Sequence, residues 1–170
     1  MTTKVKSCGL FGLEGYIVEV EIDLAMGIPA FDIVGLPDAA VKESRERVRA
    51  AVKNSGFTFP SRRVIVNLAP AHIKKEGSFY DLPIAVSFLM ATGQLAFERP
   101  EEYVFIGELS LDGRLRRAAG VLPMVMAARE SGAKYAVVPA ANAGEAAVVK
   151  GIDVIAADSL TALYDHLMGK

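Results

Sequence analysis

The second half of the chain alternates short apolar runs with helix-like segments, and this pattern limits the fold more strongly than any other feature of the sequence. The runs KYAVVPA (134–140) and IDVIAA (152–157) are typical of buried strands. Helices are predicted for VLPMVMAARESG, which ends at Gly132, for the short NAGEAAVVKG, and for SLTALYDHLMGK, where Ser159 is the N-cap. Strands that alternate with helices predict a mixed α/β fold with partly parallel strands.

The first half supplies further strands. YIVEVEID, from Tyr16 to Asp23, alternates apolar and acidic residues, which is typical of a strand with one buried face. A second strand is predicted from Ala30 to Val34, and we expect the two to pair as a hairpin whose loop contains Gly-Ile-Pro. RRVIVNLAP predicts a third strand that a proline ends, and the Asp112-Gly113 dipeptide predicts a turn between two later strands.

Two more helices are predicted in this half. GLPDAAVKESRERVRAAVKNSG has Pro37 near the first helical turn, where its missing N–H has no partner to lose, and Asn54-Ser55-Gly56 is a stop signal. DLPIAVSFLMATG is apolar on all sides and predicts a buried helix with Asp81 as its N-cap.

The length and composition fit one domain spanning residues 1–170. Hydrophobic residues make up 52% and charged residues 23%, which is typical of a globular chain with its own core. Cys8 is the only cysteine and has no disulfide partner, so we expect a cytoplasmic location. No run reaches the roughly 18 apolar residues of a membrane span, so we expect no membrane contact.

Several kinds of chemistry have no sequence support. The chain contains neither G-x-x-x-x-G-K-[ST] nor G-x-G-x-x-G, so by itself it should neither hydrolyse ATP nor bind a dinucleotide. His72, His166 and Cys8 are isolated from one another in sequence, and His72 is expected to be a loop side chain rather than a ligand. We therefore expect no metal and no cofactor in this domain.

A stripe of cations is the main candidate for a binding surface. Lys42, Arg45, Arg49 and Lys53 are spaced three, four and four residues apart, which places them on one face of the predicted helix. Clustered Lys and Arg suit DNA phosphates, although the same face can be merely solvated, with Glu46 partly compensating its charge. The candidate DNA or subunit surface consists of Lys42, Arg45, Arg49, Lys53, Arg62, Arg63, Lys74 and Lys75.

The segment HIKKEGSFYD offers a hydroxyl beside two lysines. A serine nucleophile needs a base, such as histidine or a desolvated lysine, so Ser78 with Lys74 or Lys75 could form a Ser–Lys pair. The alternative is that both lysines are solvated loop charges and that Ser78 only shapes the turn.

The segment from Gly35 to Leu95 closely resembles the N-terminal domain of the ComM/YifB family of competence-associated, magnesium-chelatase-like AAA+ proteins, and GELSLDGRLRRAAGVLPMVMAA extends the similarity. The motifs that carry it are VGLP, VKE, NSG, VNLAP, KEG and YDLPIA. The motif residues expected to have structural roles are Gly35, Pro37, Asn67, Pro70, Glu76, Gly77, Asp81 and Pro83.

This resemblance implies a Lon proteolytic-domain-like fold of the ribosomal protein S5 domain 2-like type, a mixed sheet with packed helices. It also implies that an AAA+ ATPase module follows this domain in the full-length protein, which would use ATP and Mg²⁺. The resemblance further implies that the full-length protein is a hexameric, ring-forming helicase that drives branch migration in natural transformation. The domain would then contribute DNA binding, ring assembly or both.

The same resemblance assigns the columns of the Lon Ser–Lys dyad. The nucleophile column falls on Phe79, Ser78 occupies the preceding proline column, and the lysine column falls on Leu122. Neither apolar side chain can attack a carbonyl or accept a proton, so the resemblance implies a non-catalytic domain. We expect Phe79 and Tyr80 to pack, or to plug a former cleft. The alternatives are a Ser–Lys hydrolase that uses Ser78 and a magnesium-chelatase-like partner-binding module.

Overall fold

A seven-stranded mixed sheet forms the centre of the molecule, whose computed structural model describes residues 2–170. The strands lie in the order β3-β4-β2-β1-β5-β8-β9, and β6 and β7 form a separate two-stranded ribbon. Their bounds are Thr2–Phe11 (β1), Glu14–Ala25 (β2), Ala30–Val34 (β3), Arg63–Ala69 (β4), Tyr103–Phe105 (β5), Glu108–Leu109 (β6), Leu115–Arg116 (β7), Tyr135–Pro139 (β8) and Asp153–Ala157 (β9).

Five α-helices pack around the sheet: α1 (Asp38–Asn54), α2 (Asp81–Ala91), α3 (Val121–Glu130), α4 (Ala143–Ala146) and α5 (Leu160–Leu167). Helix α2 packs against β1, β2 and α1, and its residues 81–89 are all buried, which explains why it is apolar on every side. Helix α3 packs against β1 and β2 as well. One continuous hydrophobic core lies between these layers.

The predicted hairpin between the strands at Tyr16–Asp23 and Ala30–Val34 is wrong. Strand β4 lies between them, antiparallel to β2 and parallel to β3. The chain leaves β3, crosses over through α1 and returns as β4, a connection that local turn chemistry does not reveal. The hairpin partner of β2 is β1, for which the sequence predicts no strand.

The second half follows the predicted alternation. Strands β5, β8 and β9 are parallel, and α3 and α4 lie in the connections between them. The Ser159 Oγ accepts a hydrogen bond from the N–H of Ala162 at 3.0 Å, so this predicted N-cap is confirmed. The Asp112-Gly113 turn joins β6 and β7, also as predicted. Within residues 2–170, no helix is both long and apolar enough to cross a membrane.

Candidate functional site

The loop from Pro70 to Tyr80 holds one lysine away from solvent. The side chain of Lys75 is buried, and its Nζ donates hydrogen bonds to the carbonyl oxygens of Pro70 and Ile73, the latter at 3.0 Å. Burial lowers the pKa of this ammonium below its ordinary value. The predictions that Lys75 is a solvated loop charge and part of a basic surface are therefore wrong. Its ammonium is buried and bonds to two carbonyl oxygens of its own loop.

Its neighbours face outward. Lys74 is exposed and lies 3.6 Å from the carboxylate of Glu76, which partly neutralises it, and His72 is an exposed loop side chain as predicted. Ser78 is partly exposed, and within residues 2–170 its hydroxyl has no hydrogen bond to Lys75. Burial favours the neutral amine of Lys75, which could act as a base. The two carbonyl oxygens that accept its hydrogen bonds favour the protonated ammonium instead.

The aromatic residues after the glycine turn pack as expected. Phe79 is only 9% exposed, and its ring centroid lies 4.7 Å from that of Tyr80. The Phe79 carbonyl accepts a hydrogen bond from the N–H of Gly107 at 2.9 Å. Gly77 has φ +98°, and a Cβ there would lie 2.5 Å from the Phe79 ring, so the turn requires glycine on both counts.

Leu122, which the resemblance places in the lysine column of the Lon dyad, is more exposed than Phe79. It lies in the first turn of α3 and is 36% exposed, so part of its apolar side chain faces solvent. The Lon-type columns therefore hold one core residue and one surface residue.

Asp81 does not cap α2, contrary to the prediction. It is the first residue of the helix, fully buried, and its carboxylate receives donors from two other elements. Arg47 of α1 donates from Nε to Oδ2 at 2.6 Å and from Nη2 to Oδ1 at 3.1 Å. The Ser44 hydroxyl donates at 2.7 Å and the Leu109 N–H at 3.1 Å. This set of contacts, here called the Arg47–Asp81 network, joins α1, α2 and β6.

The electrostatics of the network are dominated by burial and pairing. Burial raises the pKa of the Asp81 carboxyl, whereas the Arg47 guanidinium and the other donors oppose that shift. The hydrogen bond to Asp81 raises the pKa of Arg47. The sequence pattern did not identify Arg47 or Ser44, although a signal exists. Ser44 is buried on α1 with Val48 and Ala51, and Arg47, three residues after Ser44, lies on the same side of the helix and is partly buried.

The four predicted cations do lie on helix α1, but their tertiary surroundings differ. Arg45 donates to the carbonyl of Phe31 at 3.0 Å and lies 4.0 Å from the carboxylate of Asp32, so it covers the edge strand β3. Such a charged cover is a common protection of exposed sheet edges. Lys42 lines a shallow groove together with Glu43, Glu46 and Arg47, so two carboxylates lie near its charge. These two members are poor candidates for a phosphate site.

Three other cations converge on one pocket. Arg49 and Lys53 of α1 and Arg62, just before β4, line a cavity of about 200 Å³ at the edge of the sheet, here called the basic pocket. Its remaining lining residues are Pro29, Ala30, Phe59, Pro60 and Ser61. Within residues 2–170, none of the three cations has a carboxylate partner within 4.0 Å.

Aromatic rings hold Arg49 in place. Its guanidinium lies 5.8 Å from the ring centroid of Phe31 and 5.5 Å from that of Phe59, and Phe59 in turn stacks on the core residue Phe88. A cation over an aromatic face gains about 0.5–1 kcal/mol at an exposed site. Among residues 2–170 no hydrogen bond from this guanidinium to a protein acceptor is found, so its N–H donors are free for a ligand. Arg63 begins β4 beside the pocket and is exposed.

Of the remaining family-motif residues, Gly35 and Pro37 have roles in the backbone. Gly35 has φ +111°, and a Cβ there would lie 2.8 Å from the Leu68 carbonyl oxygen, so only glycine fits against β4. Pro37 precedes α1, and its carbonyl accepts the N–H of Val41 at 3.0 Å. Pro83 is buried in the first turn of α2, and Asn67 is half-buried on β4. Within residues 2–170, no group of three His, Cys, Asp or Glu side chains could hold a metal ion.

Comparison with known proteins supports this reading of the chain. The family described as "Subunit ChlI of Mg-chelatase" matches residues 20–142. An uncharacterized protein of Mycobacterium tuberculosis is 48% identical over 163 residues, which is 96% of this chain and 32% of that protein. The uncharacterized protein YifB of Escherichia coli is 40% identical over 159 residues, covering 94% of this chain and 31% of YifB.

Competence protein ComM of Haemophilus influenzae is 39% identical over 166 residues, covering 98% of this chain and 32% of ComM. The chain thus spans about a third of the length of these relatives. Lon protease 2 of Bacillus subtilis is more distant, at 23% identity over an alignment of 168 residues. That alignment covers 89% of this chain and 30% of the Lon protease. This likeness and the mixed sheet confirm the Lon-like fold class. The chain therefore belongs to the family described as "Subunit ChlI of Mg-chelatase", as a Mg-chelatase-like member related to ComM and YifB.

Proposed function

We propose that this chain is a non-catalytic DNA-binding domain of a longer, ATP-driven DNA-processing protein. The observation that carries the proposal is the basic pocket, where Arg49, Lys53 and Arg62 converge without a carboxylate partner among residues 2–170. Phosphate oxygens are the natural ligands of clustered, uncompensated cations at an open edge. The net charge of −1 gives no general attraction for nucleic acid, so any DNA binding must be local to such a pocket.

The proposal extends to the whole protein. The relatives are about three times as long as this chain, and one of them is named as a competence protein. We propose an AAA+ module C-terminal to this domain, with ATP and Mg²⁺ bound there, and a hexameric ring that acts on DNA in the cytoplasm. Branch migration during natural transformation is the activity we assign to that assembly. The role of this domain would be to hold DNA, to support ring assembly, or both.

The loop from Pro70 to Tyr80 supports the non-catalytic part of the proposal. Phe79 and Leu122 occupy the Lon dyad columns and carry no nucleophile or base. One observation favours the alternative, a Ser–Lys hydrolase, since Lys75 is buried and its pKa is lowered. Its contacts with two carbonyls and the lack of a Lys75–Ser78 hydrogen bond within residues 2–170 argue against that activity.

A serine-reactive fluorophosphonate probe separates these two functions. We expect no labelling of the wild-type chain and the same result for Ser78→Ala. Labelling that disappears in Ser78→Ala would establish a hydrolase and refute the non-catalytic assignment.

DNA binding is tested with the 170-residue chain, whose core lies within it. Fluorescence anisotropy with duplex DNA should show weak binding that falls steeply with salt. If Arg49, Lys53, Arg62 and Arg63 each contact one phosphate, the logarithmic salt slope should be about −3 to −4, at roughly −0.9 per contact. The double variant Lys53→Glu/Arg62→Glu should reduce the size of that slope by about 2 and weaken binding at least tenfold.

The matched control is Arg117→Glu/Lys150→Glu, which changes the net charge equally at exposed positions away from the basic pocket. Equal losses in both variants would mean that only net charge matters, and the basic pocket would then not be the DNA site.

A further inference from the structure

The loop that joins β2 to β3 presents two large apolar side chains to solvent. Met26 is 84% exposed and Ile28 is 86% exposed, with Gly27 between them at φ +140°. A Cβ built at Gly27 would have no heavy atom within 4 Å, so the tip of this loop projects from the body of the protein. Single exposed apolar residues are ordinary on protein surfaces, but two on one projecting tip indicate a contact with a partner.

The apolar tip is adjacent to the basic pocket. Pro29, the next residue of the loop, lines that pocket, and the Arg62 Nη2 lies 3.9 Å from the Met26 sulfur. The two apolar side chains and the three uncompensated cations therefore form one continuous surface. A ligand that reaches both must combine negative charge with an exposed apolar face only a few ångströms away.

Nucleic acid with unstacked bases has that combination, because each phosphate is joined to a base whose flat face is apolar. Proteins that distort or open DNA insert Met, Ile, Leu, Phe or Pro between base steps while cations hold the neighbouring phosphates. In a fully paired duplex the base faces are stacked, and reaching them requires unstacking at a few kcal/mol per step. At a fork or junction the unstacked faces are already available.

We propose that Met26 and Ile28 form an apolar wedge that contacts unstacked bases where two DNA strands separate, while the basic pocket holds the adjacent phosphates. This inference rests on the proposed DNA-binding function and names the class of DNA: forked or branched rather than fully paired. The three cations of the basic pocket, beside the apolar tip, favour a polyanion such as DNA over a protein partner at this surface.

The test compares the binding of forked and fully paired DNA of the same sequence by the 170-residue chain. We expect wild type to bind the fork about tenfold more tightly, because the fork spares the unstacking step. A fluorescent base analogue such as 2-aminopurine at the fork should change its emission on binding. The variant Met26→Ser/Ile28→Ser should lose the preference and the emission change while keeping its affinity for duplex DNA.

The control variant Leu13→Ser/Val148→Ser removes two exposed apolar side chains elsewhere and should behave as wild type. Circular dichroism establishes that both variants are folded. Fork and duplex affinities that are equal in wild type, or a preference that survives in Met26→Ser/Ile28→Ser, would overturn the wedge and leave the proposed DNA-binding function intact.

Two further outcomes also overturn the inference. If wild type binds neither DNA, the proposed function itself fails. If sedimentation shows that the loop variant changes self-association while DNA binding is unaltered, the apolar tip is a protein contact.

Discussion

Removing Arg47 should expose how much the fold depends on the Arg47–Asp81 network. In Arg47→Met, the Asp81 carboxylate stays buried but loses two charge-assisted hydrogen bonds, at 2.6 and 3.1 Å, and the cation that is paired with it. The remaining donors, Ser44 and Leu109 N–H, are neutral. Breaking a buried ion pair by removing one partner costs about 3–5 kcal/mol. Total domain stability is about 5–15 kcal/mol, so this loss is a large share of it.

The assay is chemical denaturation followed by circular dichroism at pH 7, with thermal unfolding beside it. A loss of about 3–5 kcal/mol corresponds to a fall in Tm of roughly 6–20 °C for a domain of this size. Lys42→Met is the matched control, since Lys42 lies on the same helix but is exposed, and it should change stability by less than about 0.5 kcal/mol.

The pH dependence gives an independent check of the mechanism. In Arg47→Met, burial without the guanidinium raises the folded-state pKa of Asp81 further above its unfolded value of about 3.9. A raised folded-state pKa gives stability that is present at low pH and lost as pH rises through that pKa. The deficit relative to wild type should therefore shrink between pH 7 and pH 5. A loss below about 1 kcal/mol at pH 7, or a deficit that does not change with pH, would refute this account of the network.

Two other predictions concern the glycine turn and the buried thiol. Gly77→Ala should lose at least about 1 kcal/mol more stability in chemical denaturation than Gly56→Ala. Both positions have positive φ, but of the two only Gly77 faces a side chain, the Phe79 ring. Equal losses would show that the Phe79 ring moves aside at no cost in stability. Cys8 is buried and donates to the Met124 carbonyl at 3.2 Å, and burial raises the pKa of its thiol to about 12. The thiol should resist thiol-specific reagents at pH 8 until the chain is denatured. Because the folded-state pKa exceeds the unfolded value of about 8.5, the thiol's contribution to stability is complete below pH 8.5 and declines toward pH 12, at up to about 1.4 kcal/mol per pH unit. Comparing wild type with Cys8→Ala over that range measures this decline, and parallel pH profiles would contradict it.

Local sequence signals were sufficient to predict most of the helices and strands. Pro37 before α1, the stop at Asn54-Ser55-Gly56 and the Ser159 cap of α5 all lie within a few residues of the structure that they predict. The strand–helix alternation of the second half likewise predicted parallel strands, because a parallel pair needs a crossover between its members. The family motifs added the Lon-like fold class, which the spacing of residues alone could not supply.

Contacts between distant segments decided the rest. Strand β2 pairs with β1 on one side and with β4, rather than the predicted β3, on the other. Strands β3 and β4 are joined by a crossover in which α1 packs against β3 and α2. Asp is a residue type that commonly caps helices, but Asp81 is a buried carboxylate. Arg47 and Ser44 of α1 donate hydrogen bonds to it. Lys75 is removed from solvent by two carbonyls of its own loop.

The cation stripe shows the same division most clearly. Helical periodicity alone placed Lys42, Arg45, Arg49 and Lys53 on one face, and that face exists. Which of these charges remain available was decided by β3, whose Phe31 carbonyl and Asp32 engage Arg45, and by the segment before β4, which brings Arg62 to Arg49 and Lys53. Periodicity depends on the geometry of a single helix, whereas neutralisation depends on what another part of the chain places within a few ångströms.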